Sequence, residues 1–210
     1  LMDGAYAMDR HFATAPLNRN APVLMGLLGI WNRNFQGAES QAVLPYDQNL
    51  HFLPTWLQQV SMESNGKGVS REGEFLSYPT APVIFGTAGT DCQHSFFQMV
   101  HQGTSVVPCD ALMDGRPLAQ SGNDPRRVFP GNRPSTILLV DKMDAFHLGQ
   151  LMALYEHRIF VEGILWNINS FDQFGVELGK ILANQVLETI SDPSGSKAPG
   201  LVGYIGSRVL

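Results

Sequence analysis

Apolar positions recur along the chain with two spacings. "NAPVLMGLLGIWNRN" (20–34) reads as a helix that Asn20 can cap. Pro22 sits near its first turn, where a missing N–H costs nothing. "LMDGAYAMDRHF" (1–12) also has a helical pattern. "MDAFHLGQLMALYEHRIF" (143–160) and "SFDQFGVELGKILANQVLETI" (170–190) place apolar residues three and four apart, which predicts long amphipathic helices. "DQNLHFLPTWLQQV" (47–60) predicts a further helix, kinked at Pro54. Short apolar runs, "QAVLPY" (41–46) and "STILLVD" (135–141), read as buried strands.

Between them, "APVIFG", the loop "TAGTD", "CQHSFFQMVHQ", Gly103 and "TSVVPCDAL" follow the order strand, loop, helix, capping glycine, strand. That is a βαβ unit, which brings a parallel strand pair and a right-handed crossover. Two stretches rich in Gly, Ser, Asn, Asp or Pro, "SMESNGKGVSREG" (61–73) and "DGRPLAQSGNDPRRVFPGNRPS" (114–135), are loops. Strands alternating with helices predict an α/β layered fold. After Ile190, "SDPSGSKAPG" reads as a linker before a short terminal segment, and no internal repeat is present.

Composition narrows the picture. Of 210 residues, 44% are hydrophobic and 16% charged, enough apolar material for a sizeable core. A net charge of −5 with no basic run argues against nucleic acid as the main partner. Cys92 and Cys109 form neither a zinc spacing nor a disulfide framework, which favours a reducing compartment. The apolar run "VLMGLLGIW" is half the length a membrane span needs. The chain opens at Leu1 inside a helical pattern, so it reads as the tail of a longer protein.

Several side chains admit both a chemical and a plain reading. Glu63, in "SMESNGKG", is either a solvated carboxylate in a polar turn or a general base on a loop. His94 follows "GTAGTD" and falls in the first turn of the expected βαβ helix, whose N–H groups favour an anion and a neutral imidazole. It reads equally as an ordinary packed or surface histidine. His101 is seven residues further on, but no carboxylate or thiol completes a metal set. "GTAGT" is not a P-loop, because no Lys-Ser/Thr pair follows it. Gln173 and Lys180 are seven residues apart, nearly two turns, and so share a helix face. Together they suit an anion or a sugar. Gln173 also has capping-box spacing from Ser170, and Lys180 can pair with Glu177.

"FDQFGVELGK" (171–180), preceded by "GILWNINS", closely resembles the C-terminal signature of the glucose-6-phosphate isomerase (phosphoglucose isomerase) family. "LPYDQ", "MESNGK", "QHSFFQ", "HQGT", "PCD", "GNRPS" and "LYEHRIFVEG" fall in that family's order, so the resemblance covers nearly the whole chain. It implies a sugar-isomerase (SIS)-type three-layer sandwich, a short parallel sheet flanked by helices with a long C-terminal helix. Residues 1–210 would be the C-terminal domain of such an enzyme. The implied activity interconverts glucose 6-phosphate and fructose 6-phosphate, in glycolysis and gluconeogenesis, with no cofactor and no metal. The resemblance implies that Glu63 moves a proton between C1 and C2, that His94 and Lys180 open the sugar ring, and that Gln173 touches the phosphate. It implies a cytoplasmic homodimer in which His94 serves the partner's site. "FGTAGTDCQH" departs from the family's usual "WGEPGTNGQH", and no Gly-Gly-Arg-Tyr/Phe-Ser block is present. The chain alone is therefore expected to be inactive. The rival reading is a non-catalytic sugar-phosphate-binding module of the same fold.

Overall fold

The computed structural model describes residues 1–103, 115–131, 134–172 and 174–191. Contacts divide the chain into two units, Leu1–Phe171 and Asp172–Leu210.

In the first unit, helices α1 (Met2–Thr14) and α2 (Ala21–Ile30) pack on the long helix α6 (Ala145–Leu165). Helix α2 starts as its sequence dictates. Asn20 Oδ1 accepts the Val23 N–H at 3.4 Å, and Pro22 lies in the first turn. Asp144 caps α6 in the same way through the His147 N–H at 3.0 Å. Glycines let these helices close up. A Cβ on Gly4 would sit 1.8 Å from the Phe146 carbonyl oxygen, and one on Gly149 would sit 2.0 Å from that of Leu1.

The sheet has two parallel strands, β1 (Ser40–Ala42) and β2 (Val83–Phe85), with Gln41 opposite Ile84. Met25, Val43, Leu57, Ile84, Leu151, Leu154 and Tyr155 form the core between the strands and the helices. The expected strands at 41–46 and 81–86 appear as shorter strands at 40–42 and 83–85, which pair parallel with each other within an α/β architecture of helices around a short parallel sheet. The third expected strand, 104–112, lies outside the described residues.

Two expectations fail. "STILLVD" pairs with neither strand, and Leu139 is 92% exposed. Residues 136–140 line a hollow of about 600 Å³ together with Val43, Pro45, Leu50 and Leu53, and among the described residues they have no ladder partner. Pro54 does not kink a long helix. It sits in the first turn of α3 (Leu53–Leu57), where it costs nothing, after a separate 3₁₀ turn at Gln48–Leu50. Helix α3 then widens into a π-type turn over Gln58–Glu63.

The second unit contains helix α7 (Phe174–Ser191). Phe174, Leu178, Ile181, Leu182 and Leu187 on it are exposed.

Candidate functional site

Glu63 is the last residue of the π-type turn, a local widening of the helix that recurs at functional positions. Its side chain is half-buried and has no hydrogen-bond partner among the described residues. The backbone around it is held firmly instead. Lys67 Nζ donates to the Glu63 carbonyl at 2.8 Å, and the Gly66 N–H to the Met62 carbonyl at 2.9 Å. Thr80 and Lys67 exchange two bonds, Lys67 N–H to Thr80 Oγ1 at 3.1 Å and the Thr80 hydroxyl to the Lys67 carbonyl at 2.8 Å. Gln58 Nε2 donates to the Ile84 carbonyl at 3.1 Å, which ties the turn to β2.

His94 is exposed and sits between two short helices, α4 (Gly89–Gln93) and α5 (Phe97–Gln102). The single helix expected here is broken at this point. His94 follows the last turn of α4, so the helix N-terminus that the sequence places beneath its ring is not there. The segment is anchored by buried Cys92 and Val100 and by the Phe85–Phe96 ring contact at 5.2 Å. His101, on α5, is partly buried, and burial pushes its pKa down.

Lys180 is exposed on α7, and no ion pair joins it to Glu177 among the described residues. Gln173 lies outside the described residues. Helix α7 begins at Phe174, so Ser170 does not cap it; the Ser170 hydroxyl donates to Asn65 Oδ1 at 2.5 Å instead. Glu63 and His94 belong to the first unit and Lys180 to the second.

Sequence reasoning missed a buried polar cluster beside Glu63. Asn65 is fully buried, and so are Arg158 and Glu162, joined by an Arg158 Nε to Glu162 Oε1 bond of 2.8 Å. Burial raises the Glu162 pKa, and Arg158 opposes it. Burial likewise works against charge on Arg158, but the Glu162 carboxylate and Tyr155 together outweigh it and the guanidinium pKa rises. The two directions pull the pair opposite ways. The Arg158 direction governs, because a guanidinium keeps its proton and neutralising Glu162 would strand a buried cation. The signal available in the sequence was an Arg and a Glu at i,i+4 on an otherwise apolar helix face.

Among the described residues, no cluster of His, Cys, Asp or Glu could hold a metal ion, and no helix is long and apolar enough to cross a membrane.

The fold is that of an α/β protein with helices around a short parallel sheet, and Glu63, at the end of the π-type turn, and His94, between α4 and α5, are its candidate acid–base groups. The family model of phosphoglucose isomerase matches residues 1–120 and 118–198, and the chain belongs to that family. It is 49% identical to a glucose-6-phosphate isomerase of Paraburkholderia phytofirmans over 230 aligned positions, which take in 92% of this chain and 43% of the relative. With a glucose-6-phosphate isomerase of Deinococcus deserti it shares 46% identity, over 90% of this chain and 42% of the relative. The crystal structure of a glucose-6-phosphate isomerase from Chlamydia trachomatis matches with a TM-score of 0.85 at 39% identity, over 97% of this chain and 44% of that one. A hypothetical protein of Thermus thermophilus, 24% identical with a TM-score of 0.67, shares the fold. The chain spans less than half the length of these relatives. The family match breaks at residues 118–120, and an alignment of 230 positions uses only 92% of 210 residues. The relative therefore carries several dozen internal residues that this chain lacks.

Proposed function

We propose that the chain is the C-terminal, SIS-type part of a glucose-6-phosphate isomerase, interconverting glucose 6-phosphate and fructose 6-phosphate. The reading is carried by the family match, which runs through nearly the whole chain and through the motifs that hold Glu63, His94 and Lys180. Glu63 is the base. Its carboxylate removes the C2 proton of the open-chain aldose, giving a cis-enediol(ate), and returns the proton to C1 on the same face. The half-buried setting at the end of the π-type turn suits a carboxylate that must exchange a proton with substrate. His94 and Lys180 move protons at the ring oxygen and O1 during ring opening. The Lys180 charge and the Gln173 amide favour the phosphorylated sugar. The working enzyme is a cytoplasmic homodimer, with His94 contributed across the dimer interface. No cofactor takes part.

The test is a chimera in which residues 1–198 replace the matching portion of the Paraburkholderia isomerase. Glucose 6-phosphate formed from fructose 6-phosphate is followed by coupled dehydrogenation. Turnover that falls by several orders of magnitude in Glu63→Gln, with anomer interconversion retained, supports the assignment. Unchanged isomerisation in Glu63→Gln refutes the base. A chimera that binds fructose 6-phosphate without turning it over marks a binding module instead.

A further inference from the structure

We infer that Asn65 is a positioning residue for Glu63: its buried side-chain amide bolts the helical segment that carries Glu63 and ends at Asn65 to helix α6 and to the Ser170 turn. The inference rests on the isomerase reading for its consequence in catalysis, and on geometry alone for the bolt.

The Glu63 carboxylate makes no hydrogen bond of its own among the described residues, so its direction is set by its backbone. Asn65, two residues on, is 0% exposed. Its Nδ2 donates to the Ile159 carbonyl at 2.9 Å and faces Glu162 Oε2 at 3.5 Å. Its Oδ1 accepts the Ser170 hydroxyl at 2.5 Å. Its own carbonyl accepts the Lys67 N–H at 2.9 Å. The amide thus spends both ends on partners about a hundred residues away in sequence. A buried amide so placed has one low-energy orientation, because any rotation strands a donor or an acceptor away from water.

The far side of the bolt is equally fixed. Glu162 is held by Arg158, and Arg158 Nη2 donates to Gln41 Oε1 on β1 at 3.0 Å. The turn that carries Ser170 is held from the loop after Asn65. Arg71 Nε donates to the Ile168 carbonyl at 3.1 Å, and the Tyr78 hydroxyl to the Trp166 carbonyl at 2.8 Å. Two glycines make the close approach possible. A Cβ on Gly163 would lie 1.9 Å from Ser170 Oγ, and one on Gly29 would lie 2.3 Å from Glu162 Oε1. A cluster kept only for helix packing would not need its hydroxyl aimed at the residue two places after Glu63.

The experiment uses two variants. Ser170→Ala removes one hydrogen bond and nothing else; Asn65→Ala removes the amide. In the 210-residue chain, amide exchange at Gly66 and Lys67 is compared with that at Ala15 and Leu24, whose N–H groups bond to the His11 and Asn20 carbonyls at the ends of α1 and α2. Ser170→Ala should speed exchange at Gly66 and Lys67 about five- to tenfold, the worth of one net hydrogen bond, with Ala15 and Leu24 unchanged. In the isomerase chimera, the same variant should lower kcat about tenfold with KM within about twofold, since the base is misaimed while substrate contacts persist. Uniform acceleration at all four amides, no acceleration at any, or a loss confined to KM would overturn the inference. If Asn65→Ala does not fold, Ser170→Ala still decides. An inert unmutated chimera would count against the isomerase reading, and the exchange pattern would then judge the bolt by itself.

Discussion

Replacing Glu162 by Gln should be among the most damaging changes of near-constant shape in the first unit. The substitution keeps volume and one acceptor but removes the charge that balances Arg158. Both side chains are almost wholly out of water, at 6% and 1% exposure. Breaking such a pair by removing one partner costs about 3–5 kcal/mol, because the remaining charge is stranded. Here the Arg158 to Gln41 bond survives and the new amide oxygen still accepts from Arg158, which points to the low end, about 3 kcal/mol. With a urea m-value of about 2–3 kcal/mol/M, the unfolding midpoint should fall by about 1–1.5 M. The paired change Arg158→Met with Glu162→Leu removes both charges, so it should stay within about 1 kcal/mol of the parent. Urea titrations of the three proteins, followed by tryptophan fluorescence, measure this. A Gln variant within about 0.5 kcal/mol of the parent, or a double variant as weak as the single one, would refute the argument that a stranded charge sets the cost.

Gly149→Ala should push α1 off α6, since its Cβ meets backbone rather than a movable side chain; a loss of about 2 kcal/mol, or about 5 °C in Tm, is expected by calorimetry. Asn20→Ala loses the cap to Val23 and the bond from Nδ2 to the Phe12 carbonyl at a fully buried position, and should cost about 2 kcal/mol in a urea titration. The Lys142 ammonium and the bonds from His147 hold the Asp144 carboxyl well below the usual carboxylate range. A depressed carboxyl adds stability above its unfolded value of about 3.9 and loses it as pH falls through the folded value. Asp144→Asn should therefore flatten the acid side of a Tm-against-pH curve below about pH 4. An unchanged acid limb would show that Asp144 does not contribute.

Which parts of this molecule could be read from its sequence follows from how far each signal reaches. Asn20 and Pro22 announced α2 because capping is settled within four residues. Pro54 was placed correctly near a helix but given the wrong role, since the sequence cannot say whether a proline opens a helix or interrupts one. The run 135–141 has a strand's composition, but a strand also needs a partner edge, and apolar content does not reveal one. His94 was placed in a first helical turn because its flanking residues have helical spacing; the break between α4 and α5 is a tertiary outcome. Glu63 was singled out only as a polar loop residue, and its setting in a π-type turn had no local signal. The expected loop at Asn65 and the expected cap at Ser170 are a helical segment that runs through Asn65 and a turn that does not cap α7; only the polar character of the two residues was legible. Their meeting across about a hundred residues was not.

The break in the family match is where the structure answers a question that the sequence leaves open. A chain shorter by several dozen internal residues must close the gap without orphaning backbone groups. Residues 115–131, which span the break in the match, pair their polar groups locally. Gly115 takes a left-handed conformation, φ +67°, with its missing Cβ space filled by the Phe129 carbonyl and Gly131. Arg116 and Phe129 then exchange two backbone bonds, of 2.8 and 3.0 Å. Inside the loop, the Ser121 hydroxyl donates to the Arg127 carbonyl at 2.8 Å, and Asp124 Oδ1 accepts the Arg126 N–H at 3.0 Å. The loop is fastened outward to α5. Gln102 Nε2 donates to the Arg126 and Val128 carbonyls, and the Phe129 ring lies 5.2 Å from that of His101. Closure entropy changes slowly with loop length, so a shorter connection costs little once its polar groups are paired. The consequence falls on α5. Its C-terminal end is clamped to residues 126–129, and its N-terminal end follows His94 within three residues. Whatever freedom His94 has must therefore come from the α4–α5 break itself, because the far end of α5 is held by a loop that pairs its own backbone.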